Sequence, residues 1–425
     1  MELDQESNCC NEQCIIGKRR KKLRRHNGVK TTVHSYNLVI AAIKTRKGLF
    51  YMGSSANSLM TRPILAAIDT AAFEHNLAKI RDLAPESKIW CVIKARAYGH
   101  GLEAVLKGLG STDGFAVLDI EDARWLREHG WQGRILLLEG LFHENELSIA
   151  YDLCTDVVIH CENQVRWLEQ FEAQPHSKLN VFLKMNSGMN RLGFKPDAYR
   201  TAFHRLHAAG YHMHHMTHFA NADQLDRSPT VDEQLECFNA GIAGLPGATS
   251  YGNSATILWH RNTLGDWVRP GVILYGVSPT GRYADIEHSG LHPAMSLMSE
   301  IIDIQELVPG DRVGYGGVYE ASEPMRIGIV ACGYADGYPR HAKEGTPVWV
   351  ADPTMKNGGV ACPIVGRVSM DMITIDLRGA PNANLGTSVE LWGSHIAVDE
   401  VAHHSGTIGY ELICAVAPRV PVKII

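Results

Sequence analysis

No run of apolar residues in the sequence is long enough to cross a bilayer. The best candidate, "YNLVIAAIK" (Tyr36–Lys44), falls well short of the roughly 20 residues that a spanning helix needs. No convincing small-residue cleavage site follows it, so neither a membrane partner nor a secretion signal is expected. The ten cysteines lack metal-ligand spacing: Cys9, Cys10 and Cys14 cluster near the start, and the others are scattered singly. No metal is therefore expected, and the usage fits a reducing, cytoplasmic setting. Internal repeats and low-complexity stretches are missing after residue 60. A formal net charge of −5 gives no reason to expect a nucleic-acid partner.

What is present is the composition of a globular protein, with 45% hydrophobic and 20% charged residues. Its 425 residues allow two domains, or one large domain with an appendage. The charge is unevenly spread. Residues 1–59 hold 11 Lys+Arg against 4 Asp+Glu, leaving 30 against 42 for the rest. Most of that excess is "KRRKKLRR" (Lys18–Arg25), read as a solvated tail; binding of an acidic partner is the alternative, without an aromatic platform to support it. Since the first good strand, "ILAAID", comes after it, 1–59 is expected to be a basic tail outside the fold.

From residue 88 to about 276, short apolar runs alternate with amphipathic segments. The runs are Trp90–Ile93, Phe115–Leu118, Ile135–Leu138, Val157–Ile159, Val181–Met185, His214–Thr217, Thr249–Tyr251 and Val272–Tyr275. Eight such strands with helices between them predict an α/β fold, a (β/α)8 barrel over 60–292. After Pro293, period-two patterns such as "SLMSEIIDIQEL", "PVWVAD" and "ITIDL" arrive with Gly, Pro and Asn turns. They predict a mainly β C-terminal domain over 293–425.

A barrel of this kind keeps its chemistry on the loops after its strands. Lys94 and Tyr98 follow the first expected strand, Lys184 and Arg191 the fifth, His218 the sixth and Ser254 the seventh; Arg269 and Gly271 flank the eighth. Each has a plain alternative. Lys94 could snorkel into water, Arg191 could be a surface arginine, and His218 a satisfied core histidine. Their convergence on one rim points instead to a site.

The segments "VIKARAYGHG", "KMNSGMNRLG", "THFANAD", "DWVRPGVILYGVSP", "VGYGG", "GYADGYPR", "VGRVSMDM" and "YEL" resemble, in that order, the motif series of bacterial alanine racemases. The likeness runs from about Ile64 to Val420. It implies a pyridoxal 5'-phosphate enzyme interconverting L- and D-alanine, supplying D-alanine for peptidoglycan, with Lys94 holding the cofactor covalently. An amine is nucleophilic only when neutral, a state favoured by burial and neighbouring cations. The resemblance also implies a phosphate site from Tyr98, Ser254, the backbone of Gly271 and Val272, and Tyr410. His218 would lie near the ring, and Arg269 would face its pyridine nitrogen. Racemisation needs a base on each face of a planar intermediate. Lys94 would serve one face; Tyr315, from the β domain of a second subunit, would serve the other, making a homodimer with shared sites. Without the family, Tyr315 would read as a turn tyrosine between glycines. Arg191 would stabilise the Tyr315 phenolate and touch the substrate carboxylate. Met370 and Asp371 would bound the pocket, Tyr334 would line its entrance, and Lys184 matches a lysine often carbamylated.

One residue departs from the pattern: Arg96 stands where Asn or Asp is usual, and on a strand-like trace it would point the same way as Lys94. The rivals are a broader-specificity amino-acid racemase, a decarboxylase of the same architecture, and a cofactor-carrying barrel without catalysis. Arg269 and the "GYGG" tyrosine argue against the second, and the β domain against the third.

Overall fold

The computed structural model describes residues 62–425 apart from Leu225, and these form one compact unit. The basic tail lies outside the described residues. The chain enters through β1 (Ile64–Ile68), and Asp69 then caps a helix over Thr70–Leu83 by accepting the N–H groups of Ala71 and Ala72 at 2.9 and 3.3 Å. That helix buries Phe73, Leu77 and Ile80, spaced to share one face.

Eight parallel strands then close a barrel: β2 (Lys88–Val92), β3 (Gly114–Val117), β4 (Arg134–Leu137), β5 (Asp156–Ile159), β6 (Asn180–Lys184), β7 (His212–Met216), β8 (Thr249–Gly252) and β9 (Trp267–Val268). They are short, and β3, β4 and β5 are buried almost throughout, which is why those read as continuous apolar runs rather than alternating ones. Trp90 stacks on Trp267 at 4.3 Å between ring centroids, and the Arg134 guanidinium lies over both rings. Asp156 holds that guanidinium at 2.8 Å.

The closing strand differs from expectation. Val272–Tyr275 is a buried 3₁₀ turn, and β9 lies just before it. Pro270 has no N–H to give a ladder, and Gly271 (φ −115°, ψ −96°) leaves the extended region, so the strand stops at Val268. A short apolar run is buried whichever form it takes.

The C-terminal part is an antiparallel sheet built on β10 (Met295–Leu307), whose burial alternates along its first half as the period-two pattern predicts. That half pairs with β1 on one edge and Ser388–Trp392 on the other; the far half pairs with Met325–Val330. β1 is thus a strand of this sheet rather than of the barrel that follows it in sequence. It also runs parallel to Val422–Ile424. Two short helices, Val398–Ser405 and Gly409–Ala415, return to the barrel, where the Asp399 carboxylate accepts the Ser278 N–H at 2.9 Å.

Beyond β2 the chain does not continue as a strand. Ala95, Arg96, Ala97 and Tyr98 all have φ between 50° and 55°, a left-handed turn ended by Gly99. Lys94 and Arg96 therefore do not project in parallel, contrary to the strand-like reading. Left-handed L-residues cost about 1–2 kcal/mol each, or about 4–8 kcal/mol for four. Opposing that are Ala97 N–H to Ile93 O at 2.9 Å, Gly99 N–H to Ala95 O at 3.1 Å and Gly101 N–H to Arg96 O at 2.9 Å. Buried His100 adds a shared bond from Nδ1 to Tyr98 O (2.9 Å) and Ala97 O (3.1 Å). Four such bonds contribute about 2–6 kcal/mol, and burial of the Tyr98 ring about 2–3 kcal/mol more, so the turn is roughly balanced. Gly99 (φ 82°) is required: a Cβ there would lie 2.1 Å from the Ile413 carbonyl oxygen of the second returning helix.

Arg96 is exposed and its φ is 52°, a conformation that Asn adopts with less strain. Arg96→Asn should raise the unfolding free energy by about 0.5–1 kcal/mol in chemical denaturation. Lower stability would show that the arginine side chain contributes more than its backbone costs.

Candidate active site

The carboxyl ends of the barrel strands gather the chemistry-bearing side chains. Lys94 lies just past β2, Lys184 ends β6, His218 follows β7, Ser254 follows β8 and Arg269 follows β9. Two acceptor-bearing residues unremarked in the sequence reading, Glu139 after β4 and His160 after β5, complete the ring.

One side of this rim is an anion cradle. The Gly271 N–H donates to Ser254 Oγ at 3.0 Å, which leaves the serine's own hydrogen to be given elsewhere. A Cβ on Gly271 would lie 2.7 Å from the Tyr98 hydroxyl, so only glycine lets the backbone come this close. Val272 follows at the first position of the 3₁₀ turn, where an N–H has no partner within the turn. Tyr98 and Tyr410 face one another at 6.2 Å between centroids. Burial pushes both phenols above their usual pKa, so both remain protonated donors. Hydroxyls and backbone amides arranged like this suit a phosphate.

The other side is rich in positive charge. Arg269 is buried, donates to Ser250 Oγ and to the Thr217 carbonyl at 2.7 Å each, and reaches His218 Nδ1 at 3.2 Å. Among the described residues no carboxylate pairs with it, and burial lowers its pKa only to about 10, so it stays charged at neutral pH. With Nδ1 accepting from Arg269, His218 carries its hydrogen on Nε2. Burial, then Arg269, Lys184, Arg191 and Lys94, holds its pKa well below the usual range. Lys184 is pulled down to about 7 by burial, then by Arg269 and Arg191, against the opposing carboxylate of Glu139. Lys184, Arg191 and His218 share one small cleft, so three of the residues singled out in the sequence do come together. Arg269, Arg191 and Lys94, with Lys184 charged only below about pH 7, gather near the Glu139 carboxylate, a balance that an anionic ligand would improve.

The β-part residues are not drawn into this group. Tyr315 is 72% exposed, and among the described residues no hydrogen bond joins its side chain to the strand-end groups. Tyr334 and Met370 are also exposed, and their turns are bonded together: Tyr334 N–H to Ser369 O at 3.1 Å and Ala335 N–H to Met370 O at 2.9 Å. Asp371 accepts Arg419 at 2.7 Å.

Sequence reasoning missed the supports. Glu139 was findable, since "RILLLEG" places an acid directly after an apolar run. Ser250 and Thr217 sit inside strand patterns with no local signal, and His100 was quoted in "GHG" without a role.

Comparison with known proteins identifies the family. Residues 68–279 match the alanine racemase N-terminal domain family and residues 294–424 the alanine racemase C-terminal domain family. Alanine racemases from Cupriavidus necator and Paraburkholderia phytofirmans are each 52% identical, covering 86% of this chain and 96% and 99% of the relatives. The crystal structure of biosynthetic alanine racemase from Pseudomonas aeruginosa superposes with a TM-score of 0.79 at 43% identity, over 86% of this chain and 99% of that one. A more distant alanine racemase, from Bartonella henselae with covalently bound pyridoxal phosphate, shares the fold at 24% identity and a TM-score of 0.76, over 85% and 99% of the two chains.

Proposed function

The chain belongs to the alanine racemase family, isomerases that interconvert L- and D-alanine, and from that premise we propose that Lys94 and Tyr315 are its two bases, on opposite faces of one substrate. The observation that carries the reading is Arg269, buried and charged at the head of the cation cluster with no carboxylate partner among the described residues. A guanidinium cannot hand a proton to a ring nitrogen beside it. That favours returning a proton to the substrate over losing carbon dioxide, for which an acidic residue would be expected at this position.

Pyridoxal phosphate is the proposed cofactor; when bound, it supplies an electron-withdrawing ring that acidifies the substrate's α-hydrogen. Tyr98, Ser254, Gly271, Val272 and Tyr410 would hold its phosphate, Lys94 its aldehyde carbon, and His218 and Arg269 its ring. Lys94 removes or returns a proton at the substrate α-carbon on one face, and Tyr315 does so on the other. Arg191 binds the substrate carboxylate and favours the phenolate of Tyr315. Met370 and Asp371 bound the pocket, with Tyr334 at its entrance.

A homodimer follows from this reading, because Tyr315 would come from a second copy. Tyr315, Val318, Tyr334, Met370 and Met372 are large exposed side chains of the β part that such a contact would cover. We also take 1–59 as an appendage to a barrel segment and a β domain, and the cell-wall D-alanine supply in the cytoplasm as the role.

Borohydride reduction followed by peptide mapping should place the cofactor adduct on Lys94, and Lys94→Ala should lose the visible absorbance with nearly all racemisation. An adduct on Lys184 would overturn the assignment.

Tyr315→Phe should slow racemisation in both directions by at least about 10²-fold, as expected for a positioned acid–base group. In heavy water D-alanine should still exchange its α-hydrogen and L-alanine far more slowly. Equal residual exchange would point to a single base or a water.

Lys184 is proposed to add carbon dioxide, its neutral amine forming an N–C bond and releasing one proton, so that a carbamate balances Arg191 and Arg269. Only the neutral amine reacts, and with a pKa of about 7 its fraction falls as pH drops below that value. Labelled bicarbonate should give a carbamate signal at pH 8 that fades towards pH 6 and is missing in Lys184→Ala. A signal that survives that substitution would refute the site.

A further inference from the structure

Two turns of the β part carry residues assigned to the pocket and its entrance: Gly333–Gly337, bearing Tyr334 at the entrance, and Ser369–Met372, bearing Met370 of the pocket wall. Backbone bonds hold them side by side, but both side chains are exposed, so their spacing depends on what braces the turns from behind. The brace is ionic. Asp336 is fully buried and accepts its own turn's Gly333 N–H at 2.8 Å. It also accepts Arg62 Nη1 and, at 2.8 Å, Arg419 Nε. Each arginine then reaches across to the second turn. Arg62 Nη2 donates to the Asp371 carbonyl, and Arg419 Nη2 to the Asp371 carboxylate at 2.7 Å.

Neither arginine belongs to either turn. Arg62 lies two residues before the start of β1, and Arg419 lies between the helix Gly409–Ala415 and the strand Val422–Ile424. The Ala417 N–H adds a bond to the Asp336 carbonyl at 3.0 Å. A guanidinium is a rigid planar fork, so one that is bonded at both ends fixes the separation of its two acceptors, which a lysine's single ammonium cannot do. Burial works against the charge of Asp336, and the two guanidiniums with the Gly333 N–H outweigh it, so the carboxylate stays ionised and both forks stay engaged.

We propose that Arg62 and Arg419, bridging Asp336 to Asp371, are positioning residues for substrate selection. They set the spacing of Tyr334 and Met370, and through it the room left for the substrate side chain. The inference rests on the reading that Met370 bounds the pocket and Tyr334 lines its entrance.

The test uses the full-length enzyme loaded with cofactor and compares kcat/KM for L-serine, one hydroxyl larger than L-alanine, with that for L-alanine. Arg419→Gln should raise the serine-to-alanine ratio about 3- to 10-fold, mainly through KM, with kcat for L-alanine and cofactor absorbance per subunit within about twofold of the parent. Arg419→Lys should shift it similarly, because charge without the fork is insufficient, and Arg62→Gln should repeat the effect from the other arm. Met370→Ala is the control for the wall itself. If Met370→Ala moves the ratio and the three arginine variants do not, the bridge is merely structural and the proposal fails. A parental ratio in Arg419→Lys overturns the fork argument. If Met370→Ala leaves the ratio unchanged, the wall reading fails and the bridge falls with it.

Discussion

The left-handed turn from Ala95 to Tyr98 is the constraint around which the rest of the site is organised. Four residues in a disfavoured backbone region persist only where their surroundings over-determine them. Here His100 ties the last two carbonyls from below, Tyr98 is gripped by Tyr275 at 4.7 Å between centroids, and the second returning helix presses on Gly99. The turn also has two functional ends. Lys94 leads into it and Tyr98 closes it, so one strained segment sets the separation between the proposed covalent anchor and the proposed phosphate donor. A relaxed strand or a right-handed helix would send those side chains elsewhere. The helix contact at Gly99 further makes the barrel's first loop depend on the β part being docked.

The second organising fact is electrostatic incompleteness. Buried arginines are ordinarily paired with carboxylates, because an unpaired charge in a low-dielectric interior is costly. Arg269 has instead a hydroxyl, a carbonyl and a neutral imidazole. With Lys94, Lys184 and Arg191 nearby and Glu139 opposing them at Lys184, no carboxylate among the described residues pairs with Arg269 at the centre of the cluster. Such a site is stabilised by anions that bind it, through linkage. The proposed substrate carboxylate and carbamate are anions of the right kind, with Arg191 and Arg269 to receive them, whereas the proposed phosphate would be held by the neutral hydroxyls and amides of the cradle.

The sequence made the architecture legible where one physical rule dominates. Buried parallel strands are short apolar runs, so seven barrel strands were found where they lie, and functional groups were sought after their ends, where Lys94, Lys184, His218 and Ser254 stand. It failed where two rules compete. Val272–Tyr275 is as apolar as a strand, but Pro270 and Gly271 ended the sheet before it. "KARAY" contains nothing forbidden to a strand, and its left-handed path is imposed by contacts from residues 275 and 413, which no local pattern contains. β1 has a clear strand signal, yet its sheet is decided by β10, far along the chain. Supporting residues such as Ser250 are chemically ordinary and gain meaning only from the guanidinium beside them.

The pairing of β1 with both β10 and Val422–Ile424 sets an order of assembly. The barrel strands follow one another in sequence, each able to pair with a neighbour soon after it is made. β1 leaves the ribosome before any of them, yet its partners come only after the barrel is complete, and one of them is the last strand of the chain. Through most of synthesis it is an apolar segment with two unpaired edges, the condition in which strands associate wrongly. Such long-range closure is slow, since the loop entropy is lost before the contacts reward it. A chain halted before Val422–Ile424 is made would therefore hold a closed barrel with β1 unprotected on one side, a form suited to capture by a chaperone.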